Sequence, residues 1–190
     1  MSTKLFTKRF VLLDTEYTAN ENSKKNDWAG EHKEVIQIGA LWVERDLTPV
    51  MEKSFIVRPV IQPILSDYII QLTGISQDMV EGGHSLEKAL EPIAVWAENL
   101  QVFCYGRDGE VIIENCRLLG IPCPIKPEQF INLRPLLAPI LTARGIDPTQ
   151  YSSGELVKAF NIRGEKAHNA LNDMKNLLMV LQKLREDGLV

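Results

Sequence analysis

Cysteine is scarce in this sequence, with three residues, Cys104, Cys116 and Cys123, in a chain of 190. The set is odd in number, unclustered and without zinc-site spacing. It argues against a disulfide framework or a zinc module and for buried thiols in a reducing cytoplasm. Long hydrophobic runs are lacking as well. No stretch approaches the roughly 20 apolar residues of a membrane span. The segment from Met1 to Phe6 has no apolar signal-peptide core. The expectation is therefore a cytoplasmic protein with no membrane partner. Nor is positive charge in excess, since 21 Lys and Arg stand against 25 Asp and Glu for a net charge of −4. Proteins that grip long duplexes by counterion release tend to be basic. This balance speaks against tight nonspecific duplex binding and leaves room for short or single-stranded substrates. Internal repeats and low-complexity segments are also missing.

What is present is an ordinary globular composition, 45% hydrophobic and 24% charged, which reads as one domain spanning 1–190. Arg9 to Leu13 is an apolar run of strand character. Ala19 to Lys33 is polar and without period, an exposed loop carrying Trp28. Glu34 to Glu44 reads as a second strand, Asp46 to Pro49 as a turn, and Met51 to Arg58 as the returning strand, an antiparallel start. Ser66 as N-cap and Gly74 as stop frame a short helix. Ser85 caps another, with Leu86, Ala89, Leu90, Ile93, Trp96 and Leu100 at helical spacing and Pro92 in its middle. Strands at Val102 to Tyr105 and Gln129 to Leu133 then alternate with helices at Glu110 to Leu119, Pro135 to Ala143 and Ser153 to Phe160. A last helix carries Leu171, Met174, Leu178, Leu181 and Leu184. The pattern predicts an α/β fold with a mixed five-stranded sheet, antiparallel at first and then parallel, flanked by helices.

The chemistry resides in a few scattered polar residues. Asp14 and Glu16 follow the apolar run Phe10 to Leu13 at i, i+2, so both project from one face of a strand and can converge on a cation. Two carboxylates so close to a core repel each other unless a cation joins them. Asp108 follows another apolar run, Phe103-Cys104-Tyr105. His168 stands five residues before Asp173, about 140° apart on a regular helix, so His168 belongs on the turn leading in and Asp173 in the helix body. Carboxylates suit hard divalent cations and the histidine supplies a proton acceptor near neutral pH. The combination points to metal-dependent cleavage of a phosphodiester.

The order Asp-x-Glu, Asp, His-x4-Asp resembles the DEDDh group of 3′-to-5′ exonucleases, from about Arg9 to about Leu184. Val35 to Ala40, Leu65 to Tyr68 and Leu72 to Ser76 look like the ERI-type branch, which trims RNA 3′ ends. The resemblance implies a ribonuclease H-like fold and two divalent cations, Mg²⁺ or Mn²⁺, held by Asp14, Glu16, Asp108 and Asp173. It makes His168 the general base and nucleoside 5′-monophosphates the products. Asp108 departs from the family pattern by one missing residue after Gly106, with Glu110 and Glu114 as fallbacks. The resemblance also places Thr15, Tyr17, Thr18, Thr73, Gly74 and Ile75 beside the terminal nucleotide, and Ile75 is either a wedge against a base or simply core. Trp28 with Lys24, Lys25 and Lys33 forms a basic-aromatic lip or a solvated loop. The expected partner is a single-stranded nucleic-acid 3′ end, RNA before DNA. A catalytically weak binding module of the same fold is the alternative.

Overall fold

A computed structural model describes residues 5–21 and 32–190. Trp28, Lys24 and Lys25 therefore lie outside the described residues, and the expected lip is left with Lys33 alone.

The chain opens with β1 (Phe10–Tyr17), β2 (Val35–Val43) and β3 (Pro49–Ile56), followed by α1 (Asp67–Thr73), α2 (Gln77–Glu81) and α3 (Leu86–Ala97). Then come β4 (Val102–Cys104), α4 (Asp108–Leu118), β5 (Phe130–Asn132), α5 (Leu133–Ala143), α6 (Leu156–Ala159) and α7 (Ala170–Glu186). The five strands form one sheet in the order β3-β2-β1-β4-β5. The β1–β2 and β2–β3 pairs are antiparallel, and β1–β4 and β4–β5 are parallel. That is the mixed sheet expected from the sequence. Among the described residues no helix is long and apolar enough to cross a membrane.

The period of two along β1 sorts its side chains between two cores. Phe10 and Leu12 join Leu41, Val43 and the apolar stripes of α5 and α7. Val11 and Leu13 join Ile38, Ala40, α3 and α4 on the other face. Asp14 and Glu16 continue the first row and Thr15 and Tyr17 the second. A third cluster sets Ile36 against Leu65, Ile69, Ile75 and Val80, beneath α1 and α2.

Local capping behaves as the sequence predicts. Ser66 caps α1, and Gly74 ends it in the left-handed region at φ 77°, where a Cβ is costly. Ser85 caps α3, which accommodates Pro92 without ending. Other boundaries differ. The first strand does not stop at Leu13 but runs to Tyr17, because Asp14 to Glu16 keep pairing with β2. The returning strand begins at Pro49 and ends at Ile56. Helix α2 has no counterpart in the sequence pattern, since only Val80 among its five residues is buried. The helix expected from Glu110 begins at Asp108. Cys104 and Cys116 are buried free thiols, but Cys123 is half-buried. The hydrogen bond from Cys116 pulls the Cys123 thiol down to about 7. Trp42 is likewise half-buried rather than core, tilted against Trp96 with Arg9 above it.

Candidate active site

The acids meet where β1 passes between α4 and α7. In the β1–β2 register Asp14 faces Gly39 and Glu16 faces Gln37. Both partners serve the N-terminus of α7. A Cβ on Gly39 would lie 2.2 Å from the backbone N of Leu171, so only glycine lets the helix settle onto the sheet there. Gln37 Oε1 accepts the backbone N–H of Ala170 at 3.0 Å, which fixes the first residue of that helix. Asn169 caps α7, its side chain accepting from the N–H of Asn172 at 3.2 Å. The residue before it, His168, adopts φ 65°, a left-handed conformation unusual for a non-glycine. That turn directs its backbone N–H onto Asp173 Oδ1 at 3.1 Å. His168 thus stands on the turn and Asp173 in the first turn of the helix. One ligand atom each from Glu16, His168 and Asp173 lie within 4.8 Å of one another.

The other two acids adjoin this group. Asp14 Oδ1 accepts from the Ser153 hydroxyl at 3.0 Å. Asp108 Oδ1 accepts from both the backbone N–H and the hydroxyl of Thr15, at 3.1 and 2.8 Å. The missing loop residue therefore does not displace Asp108; it becomes the first residue of α4 and is buried. The fallbacks are excluded by position, since Glu110 and Glu114 face solvent and pair with Arg107 and Arg117.

Electrostatics mark the cluster as frustrated. Burial first, then the charges of Asp108, Asp173 and Glu16, raise Asp14 well above the usual carboxylate range, against the Ser153 hydrogen bond. Burial, with Asp173 and Asp108, pushes Glu16 up to about 8. Burial raises Asp173 to about 7, opposed by the backbone N–H bonds of His168 and Asn169. Asp108 is raised by burial and lowered by Thr15 and by the nearby Arg134. Four carboxylates in so little water cannot all be ionised without a positive partner. Oxygen donors with one imidazole fit a hard divalent cation.

The expected substrate contacts fare unevenly. Tyr17 and Gly74 reach the surface, and Lys33 Nζ lies 4.8 Å from the centroid of the Tyr17 ring. Thr15 is spent on Asp108. The Thr18 hydroxyl donates to Gln62 Oε1 at 2.8 Å and accepts from the N–H of Glu34, so it holds a loop together. The Thr73 hydroxyl donates to the Ile69 carbonyl and accepts from the N–H of Ile75, which caps α1. Ile75, either a wedge against a base or core by its sequence, is 2% exposed and belongs to the core under α1. Burial of apolar area, not base contact, accounts for Ile75.

Several supporting residues carry no sequence signature. Ser153 and Gly154 form the wall facing Asp14 and Asp173, and a Cβ on Gly154 would lie 2.1 Å from Asp173 Oδ1. Asn176, wholly buried, donates to the carbonyls of Gly154 and Glu165, binding that wall to α7. Arg134 at the start of α5 lies with its guanidinium 4.9 Å from the Tyr105 ring centroid, on the Asp108 side. A glycine inside an apolar strand, Gly39, and the small-residue run Ser152-Ser153-Gly154 were the available hints.

Comparison with known proteins agrees with this geometry. A family model described as exonuclease, RNase T, matches residues 11–181. ERI1 exoribonuclease 3 of Homo sapiens is 26% identical over 195 residues, covering 95% of this chain and 55% of that protein. The 3′-5′ exonuclease Snipper of Drosophila melanogaster is 26% identical over 202 residues, covering 94% of this chain and 69% of its own. The chain spans about half the length of the first of these relatives. The nuclease domain of 3′hExo, a DEDDh family member solved with rAMP, superposes with a TM-score of 0.80 at 20% identity, covering 98% of this chain and 96% of that one. The shared architecture is that of the ribonuclease H-like exonucleases.

Proposed function

Because this chain belongs to the RNase T exonuclease family, we propose that it removes nucleoside 5′-monophosphates from the 3′ ends of single-stranded nucleic acid. The observation that carries the reading is the convergence of Glu16, His168 and Asp173 beside buried Asp14 and Asp108. Asp14, Glu16, Asp108 and Asp173 would hold two divalent cations, Mg²⁺ or Mn²⁺, which when bound lower the pKa of water and offset phosphate charge. His168 takes the proton of the attacking water, a role its place on the turn leaves open. Ser153, Thr15 and the backbone of His168 orient one oxygen each of Asp14, Asp108 and Asp173. Tyr17, with Lys33 above its ring, offers a flat face at the rim for a terminal base. RNA is the favoured substrate, supported by the names of the exoribonuclease relatives.

The test is digestion of 5′-labelled single-stranded RNA and DNA with Mg²⁺ or Mn²⁺, beside Asp14→Ala and His168→Ala proteins. A ladder shortening from the 3′ end, lost in both variants and with chelator, is expected. Oligomer binding without cleavage in either metal would overturn the catalytic reading.

A further inference from the structure

Arg134 is a charge without an assigned task. It sits in the first turn of α5, where Asn132 Oδ1 accepts its backbone N–H at 2.9 Å. Its guanidinium lies over the ring of Tyr105. Among the described residues it enters no ion pair, although four carboxylates are gathered nearby. Its side chain makes one long hydrogen bond, from Nη2 to the Tyr151 carbonyl at 3.4 Å. Its Nε is buried without a hydrogen-bond partner. A buried donor left unpaired costs stability, so its position calls for a compensating role.

The location narrows that role. The Arg134 guanidinium lies 4.9 Å from the ring centroid of Tyr105, which precedes Asp108 by three residues. It therefore stands on the Asp108 side of the acidic group. A guanidinium is always charged, and its planar fork matches phosphate oxygens. The contact with the tyrosine ring restrains that fork before any ligand arrives. A polyanion approaching four carboxylates also needs a fixed cation at the rim. We propose that Arg134 binds a backbone phosphate adjoining the one hydrolysed, and so steers the strand out along the N-terminus of α5. This rests on the exonuclease reading for its substrate class.

The experiment compares wild type, Arg134→Met and Arg134→Lys, the methionine keeping apolar bulk against Tyr105 without charge. Binding of a fluorescein-labelled single-stranded RNA is measured by anisotropy in chelator over a range of salt. The methionine variant is expected to bind on the order of tenfold more weakly, as for loss of one charged hydrogen-bonding group. Its plot of log K against log salt should be shallower by about 0.7, the slope of one single-strand phosphate contact. The lysine variant should restore the slope. In parallel, kcat/KM is measured with Mn²⁺ on the oligomer and on the p-nitrophenyl ester of thymidine 5′-monophosphate, which has a single phosphate. The oligomer should lose on the order of tenfold more than the ester. An unchanged salt slope, or equal losses on both substrates, would overturn the proposal. If wild type hydrolyses neither substrate, the exonuclease reading fails while the binding slopes still decide the fate of Arg134.

Discussion

Removing divalent metal should make stability fall as pH rises from 5 to 7. Glu16 is the group to follow, because burial and the charges of Asp173 and Asp108 hold its proton up to about 8 against an ordinary 4.5. Between those values the folded chain keeps a proton that the unfolded chain has released. The native state then binds more protons than the unfolded one, so raising the pH favours unfolding. Each pH step through that window costs about 1.4 kcal/mol per retained proton, hence about 3 kcal/mol from pH 5 to 7. For a chain of this size that lowers Tm by roughly 5–10 °C. Asp173, raised to about 7, acts in the same direction and competes for the same relief. A cation binds the ionised carboxylates and only in the folded state, so Mg²⁺ or Mn²⁺ should raise Tm more at pH 7 than at pH 5. Calorimetric scans in chelator and in metal, with Glu16→Gln as control, decide the matter. A Tm that is flat or rising between pH 5 and 7 in chelator would refute the reasoning, as would a metal effect of equal size at both pH values.

Gly154→Ala places a methyl 2.1 Å from Asp173 Oδ1; displacing that carboxylate by an ångström should cut hydrolysis on the order of 10²-fold, read by oligomer digestion beside a thermal melt. His168→Gly removes the proton acceptor but also the left-handed strain at φ 65°, so activity should fall about 10²–10⁴-fold while stability holds or rises by about 1 kcal/mol. A chemical-denaturation midpoint well below wild type would contradict that account. Thr15→Val keeps the backbone bond to Asp108 and deletes the hydroxyl one; a loss of about 1–3 kcal/mol in denaturant titration is expected for a buried charge-assisted bond.

Helix caps were legible because capping is a contact over three or four residues: Ser66, Gly74 and Ser85 lie where the chain itself states the boundary. The mixed sheet, antiparallel first and then parallel, followed from short connections and then helix-bearing crossovers. The end of β1 was not legible, because Asp14-Thr15-Glu16 reads as the polar exit from a strand. Only pairing with Gly39, Ile38 and Gln37 shows that the strand continues. Helix α2, with one buried side chain, has too little apolar period to announce itself. The family resemblance places threonines 15, 18 and 73 beside the terminal nucleotide. In the structure the hydroxyl of each is bonded within the fold.

The asymmetry at the site has a physical origin. Asp14, Glu16, Asp108, His168 and Asp173 could be picked out because their residue types are costly to bury, so their presence beside apolar runs already demands a reason. Their supports demand none. Gly39 acts through an absent Cβ, Ser153 through a bond to a residue 139 positions away, and Gln37 through one 133 positions away. Such contacts leave no periodicity behind. Yet they decide whether five acid and imidazole groups form a cluster or merely occupy the same protein. A strained histidine, a guanidinium whose buried Nε has no hydrogen-bond partner and mutually repelling carboxylates all sit within this one region. Where local rules fail together, the fold is holding groups for a partner that satisfies them, and the proposed cation-bound phosphodiester would satisfy these.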